Sequence, residues 1–118
     1  MAEKVIYASA ARTATPTAVV VNVGRAKELR LVMDITAVTA TPALTITVDG
    51  IDSTSGKFFN IITSAALATV ATTVLTVALG VTVAANVAVS APLPQTVRIT
   101  VTHGDADSAT YSLTAHTR

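Results

Sequence analysis

Three consecutive segments decide the fold: Glu28-Leu-Arg-Leu-Val-Met-Asp-Ile-Thr36, then Ala37-Val-Thr-Ala-Thr-Pro42, then Ala43-Leu-Thr-Ile-Thr-Val-Asp49. In the first, Leu29, Leu31, Met33 and Ile35 alternate with Arg30, Val32, Asp34 and Thr36; in the last, Leu44, Ile46 and Val48 alternate with Thr45, Thr47 and Asp49. Successive side chains of a strand point to opposite faces, so each run has one apolar and one mostly polar face. A further run, Lys57-Phe-Phe-Asn-Ile-Ile-Thr63, follows Asp49-Gly50 and Asp52-Ser-Thr-Ser-Gly56. Those are turn residues, because glycine adopts positive φ without steric cost and Asp or Ser side chains bond nearby backbone. The reading is a three-strand antiparallel meander, half-buried against a second layer.

Working outward, Thr17–Val23 reads as a strand closed by Gly24-Arg25, and Thr72–Leu79 as another closed by Gly80. Val97, Ile99 and Val101 alternate with Arg98, Thr100 and Thr102 up to His103, and after the turn Gly104–Asp107 the last strand runs from Ser108 to Ala115. Val81–Ser90 alternates weakly, as a strand or an extended loop, and Ala91-Pro-Leu-Pro-Gln95 is a rigid connector. Ser64–Thr69 is the one place where alanine admits a helical turn. About seven to eight short strands at roughly ten-residue intervals describe an all-β antiparallel sandwich or barrel. It is one domain, 1–118, with Leu31, Met33, Ile35, Leu44, Ile46, Val48, Ile99, Val101, Tyr111 and Leu113 turned inward. Residues 1–15 form an edge strand or an extended N-terminal arm, set apart by Pro16, which biases Thr15 away from helix. As an arm, the segment is expected to add a strand to a neighbouring subunit's sheet edge.

Composition narrows the function. With two Phe, two Tyr and no Trp, the core is built from Val, Ile, Leu and Ala. The absence of cysteine excludes disulfides and zinc–thiolate sites. A net charge of +1 gives no broad field to attract nucleic acid or an anionic membrane. Val5-Ile6-Tyr7 is too short for the apolar region of an export signal. Between Lys57 and Arg98 there is no charged residue. That length would suffice for a membrane span, but the segment carries many Thr, with Ser64, Asn86 and Gly80, and lacks flanking positive clusters. It reads as sheet, with more apolar surface than one small core needs. The surplus suits subunit contacts, whose centres are depleted in charge.

The candidate chemical sites are weak. His103, Asp105 and Asp107 share one turn, with His116 further on, and could share a metal, but no second ligand cluster with diagnostic spacing exists. Asp49, Asp52 and Ser53 offer oxygens to calcium without the bidentate Glu or spacing of a calcium hand. Neither His lies in a motif that would activate a Ser or Thr. The five glycines lack the paired spacing of a phosphate loop. Arg12, Arg25 and Arg98 read as surface or strand-face ion pairs. The expectation is a protein that is not an enzyme, with no catalytic, cofactor-binding or metal residue and no cofactor.

Asp34-Ile-Thr-Ala-Val38, Thr41-Pro-Ala-Leu-Thr-Ile46, Gly50-Ile-Asp52 and Ser55-Gly-Lys-Phe-Phe59 form one half of a pattern. Leu93-Pro94, Val97-Arg-Ile-Thr-Val101, His103-Gly-Asp105 and Ser108-Ala-Thr-Tyr-Ser112 form the other. Over roughly Arg12–Leu113 the chain resembles a family of small β-rich virion structural proteins of tailed bacteriophages. The segment after Leu67 departs from that pattern, with an Ala/Thr/Val-rich run in place of a more polar, aromatic-bearing one. The resemblance implies a capsid decoration (cement) protein, made in the host cytoplasm and bound to the outside of the capsid shell. Its partners would be the major capsid protein and copies of itself, as a homo-oligomer for which a trimer at a lattice symmetry axis is one form. Nucleic acid and membrane are not expected partners. The alternatives are a tail or head–tail joining protein and, further off, a cell-surface β-sandwich binding module.

Overall fold

Two β-sheets pack face to face in the computed structural model, which describes residues 2–118. The strands are β1 (Ala2–Arg12), β2 (Val19–Asn22), β3 (Glu28–Val38), β4 (Leu44–Ile51), β5 (Phe58–Thr63), β6 (Ala71–Ala78), β7 (Ala88–Val89), β8 (Thr96–His103) and β9 (Ala109–Thr117). One sheet has the order β1-β9-β3-β6-β7, the other β2-β8-β4-β5. All pairings are antiparallel except that of β7, a two-residue strand lying parallel to β6. With two separate sheets the fold is a sandwich rather than a barrel.

The core follows from the alternation. Met33 pairs with Leu113 and Ile35 with Tyr111 in the first sheet, while Ile46 pairs with Val101 and Val48 with Ile99 in the second. All ten side chains expected to face inward are buried, none more than 1% exposed. Leu29, Leu75, Val77 and Val97 complete the layer. Side chains of this size each contribute roughly 1.5–3 kcal/mol on leaving water, so the two inner faces hold the sheets together.

The expected meander is corrected at its first connection. β3 and β4 do not pair: β3 lies between β9 and β6, and β4 lies between β8 and β5 in the other sheet. The alternation of Leu29–Ile35 and of Leu44–Val48 records only which face is apolar. That pattern is the same for two neighbours in one sheet and for two strands facing each other across a core. The switch is made in residues 39–43, where Ala40 takes a positive φ of 53° and Pro42 is buried. The second connection is the expected hairpin. β5 pairs with β4, and the turn closes through the N–H of Asp52 donating to Lys57 O (2.8 Å) with Gly56 at φ 72°.

Ser64–Thr69 is extended rather than helical. Leu44 and Leu67 exchange backbone hydrogen bonds of 2.8 and 3.0 Å, and buried Ser64 accepts from the Ile46 N–H through Oγ (2.9 Å). A weak alanine propensity does not outweigh these tertiary bonds. The uncharged stretch forms β5, β6, β7 and their connections. Among the described residues no helix is long and apolar enough to cross a membrane.

Of the two readings of the N-terminus, β1 is an edge strand, and the sheet edge it joins is that of its own chain. It runs along β9 from Ala2 opposite Thr117 to Arg12 opposite Ala109, with register shifts on either side of Tyr7. Only Ile6 and Tyr7 of β1 are buried.

Candidate functional site

The end of β8, at His103, and the end of β1, at Arg12, meet around the ring of Tyr111. Tyr111 is wholly buried at the end of the core, and its hydroxyl lies 2.9 Å from His103 Nε2. The Arg12 guanidinium sits 4.7 Å from the centre of the Tyr111 ring and 5.4 Å from that of Tyr7. It also donates to the carbonyls of Ala8 (2.7 Å), Tyr111 (2.9 Å) and Ala10 (3.2 Å). The Tyr7 hydroxyl donates to Thr17 O at 2.6 Å, and Thr15 Oγ1 accepts from the His103 N–H at 2.9 Å. Arg12 is therefore not the ion pair expected of it. It is a cation held over two aromatic faces that ties β1 to the sandwich, an arrangement worth up to about 2 kcal/mol where desolvated.

Burial pushes the Tyr111 hydroxyl up to about 12 and raises that of Tyr7, opposed in both by the nearby Arg12. Burial, and after it the charge of Arg12, lower the pKa of His103 from 6.5, against the opposite pull of Asp105. Among the described residues, the enclosed His103 Nδ1 has no hydrogen-bond partner, so a proton on it would find no acceptor there. A histidine with a depressed folded pKa takes its proton first in the unfolded chain. Stability is therefore expected to be full above about pH 6.5, to fall as the pH drops from there through the folded pKa, and to level off below it. Urea midpoints between pH 7.5 and pH 5 check this: His103→Gln should flatten the decline, and an unchanged decline in that variant would remove His103 as its cause.

The turn does not assemble the metal set considered from sequence. Asp105 Oδ1 accepts from the Asp107 N–H, Asp107 Oδ2 from the Thr41 N–H, and His116 lies near the other end of β9, opposite Glu3. Among the described residues no group of three His, Asp or Glu side chains is placed to hold a metal ion. Asp49 and Asp52 are also apart in role. Asp49, buried on the outward face of the second sheet, accepts from Arg98 at 2.9 Å and from Asn60 at 3.4 Å. Asp52 caps its own turn, accepting from the Ser55 hydroxyl and the Thr54 N–H, which hold its carboxyl below the usual range.

Arg98 is the strand-face ion pair expected, with an addition that sequence reasoning missed: its guanidinium stacks 3.5 Å from the centre of the Phe58 ring. The β4–β8 register sets Arg98 opposite Asp49, and the β4–β5 register sets Phe58 opposite Ile51, two residues from Asp49 on the same face. Asp49 and Phe58 are diagonal neighbours on adjacent strands, and Arg98 reaches across β4, over Asp49, to the Phe58 ring.

The remaining feature is the flank where β5 and the connection between β6 and β7 approach each other. They enclose a hollow of about 310 Å³ between Asn60–Thr63 and Val83–Val89. Near it Val83 and Val87 are 66% and 50% exposed, and Phe59, next to Asn60 in β5, is 48% exposed. No charged side chain belongs to either wall. Together the sites offer aromatic and apolar contact and bonded polar groups on an all-β sandwich. Compared with protein-family models, curated proteins and solved structures, the chain matches none.

Proposed function

We propose that this chain is a structural virion protein of a tailed bacteriophage, a capsid decoration protein that binds the outside of the capsid shell. The observation that carries the reading is the distribution of exposed apolar side chains. Among the described residues, seven of the nine large hydrophobics that remain exposed, from Phe58 to Val87, lie in the uncharged stretch between Lys57 and Arg98. The surplus apolar surface therefore lies outside the core, where contact with a neighbouring protein can use it. The resemblance of the flanking segments to small virion proteins supplies the identity of that neighbour, the major capsid protein.

A ligand that binds the assembled shell and not its dissociated subunits stabilises the shell by mass action. Shells prepared without this protein, then titrated with it, test the reading. Saturable binding in many copies and a raised rupture temperature are expected. Apolar contact should make occupancy less sensitive to added salt than that of a highly charged binder. Absence of shell binding, with labelling of the tail or of a single vertex, would move the protein to the tail or head–tail joining class.

A further inference from the structure

The two ends of the sandwich carry opposite charge. The registers bring Ala2, Asn22, Glu28, Ala78 and Thr117 to one end and Arg12, Val38, Leu44, His103 and Ala109 to the other. The first end displays Lys4, Arg25, Lys27, Arg30 and Arg118 against Glu3 and Glu28. Glu28 is shared by Arg30 (3.1 Å) and Arg118 (2.8 Å), and among the described residues Lys4, Arg25 and Lys27 have no ion-pair partner. Lys57 and Asp52, in the β4–β5 turn, offset each other there. The opposite end displays Asp105 and Asp107. Its cation, Arg12, is turned onto the tyrosine rings and backbone carbonyls instead.

The basic end also holds a hollow of about 540 Å³, with an apolar lining of Ala26, Ala78, Leu79, Pro92 and Leu93. Lys27, Arg118 and Glu28 also line it, the Glu28 carboxylate being taken up by Arg30 and Arg118, and Leu79 is 70% exposed. The acidic turn presents the reverse relief: Ala106, exposed, lies between two carboxylates. Each carboxylate has one oxygen engaged within the chain, Asp105 Oδ1 by the Asp107 N–H of the same turn and Asp107 Oδ2 by the Thr41 N–H of the β3–β4 connection, leaving the other to accept from outside.

We infer that the basic end of one copy receives the Asp105-Ala106-Asp107 turn of a second copy, with Ala106 on the apolar lining and the carboxylates facing Lys27 and Arg25. The contact is head to tail, so repetition gives a ring if the rotation closes and a filament if it does not. Because opposite charges drive it, it strengthens at low ionic strength. Association of this kind needs no shell, so it is read on the isolated protein and its failure leaves the proposed shell binding untouched.

Sedimentation velocity of three proteins tests it. The wild-type chain should gain mass with concentration at low salt and return to monomer at high salt. D105N/D107N keeps the acceptor oxygens that close the turn, and R25E/K27E changes exposed side chains only. Each variant alone should associate at least about tenfold more weakly, the scale of two lost ion pairs. Mixed in equal amounts they should form dimers that grow no further, since one supplies only the basic end and the other only the acidic turn. A monomeric wild-type chain at low salt, a mixture that stays monomeric, or a variant that associates like the wild type would each overturn the contact.

Discussion

Replacing Ile46 with aspartate is expected to leave no folded protein. Ile46 is fully buried at the centre of β4, directly opposite Val101, and its backbone N–H donates to Ser64 Oγ. Among the described residues no cation belongs to the buried core, so the carboxylate would lose its hydration without gaining a partner. The change also removes a large aliphatic side chain from a close-packed site. Effects of this kind exceed about 4–5 kcal/mol, comparable with the whole stability of a domain of this size. Circular dichroism on heating checks it: the wild-type chain should melt cooperatively and the variant should show no transition. Retained cooperative melting would mean that Ile46 lies outside the core.

Tyr111→Ala is expected to cost about 3–5 kcal/mol, as for other buried aromatics cut back to alanine. Three losses coincide. The ring is the largest wholly buried side chain, its hydroxyl is the partner of His103 Nε2, and its face carries the Arg12 guanidinium. Among the described residues, His103 would be left with no partner for either ring nitrogen, since Nδ1 already has none. Tyr111→Phe separates the terms: it keeps ring and cation and removes one hydrogen bond, at about 1 kcal/mol. Urea unfolding of the two variants should therefore differ severalfold in lost stability. Equal losses would place the ring's contribution in its hydroxyl alone.

These two residues also show what the sequence can and cannot disclose. Ile46 and its neighbours were legible because alternation over a run as long as Leu44–Val48 has one physical meaning, an apolar face turned inward. A one-residue slip would bury Thr45 and Thr47 and expose Leu44, Ile46 and Val48. Pairing was less legible. Nothing in residues 28–49 distinguishes a neighbour in the same sheet from a strand across the core, so the switch at Ala40 and Pro42 had to be seen. At Ser64–Thr69 the alanines favour helix, but Leu67 finds a backbone partner in Leu44, which no local signal discloses.

The side-chain sites were legible in proportion to their locality. The Asp52 turn is local and reads directly. The Arg98–Asp49 pair follows once the strands are assigned, because both lie on the polar faces of alternating runs. The placing of Arg12 over Tyr111 joins residues 99 positions apart in the chain. It depends on β1 folding back along β9, and the only hint was the weak alternation of Val5, Tyr7 and Ser9. The exposed flank was foreshadowed by the missing charge between Lys57 and Arg98, an observation about composition that gives no geometry.

The most direct test of the proposed role is the protein's position in a three-dimensional reconstruction of the phage particle that carries it. Density fitting this nine-stranded sandwich is expected in many copies on the outer surface of the head, with the flank of Phe59, Val83 and Val87 covered by a neighbouring protein. A head shell bare of such density, with the sandwich found in the tail or in no part of the particle, would contradict the decoration role.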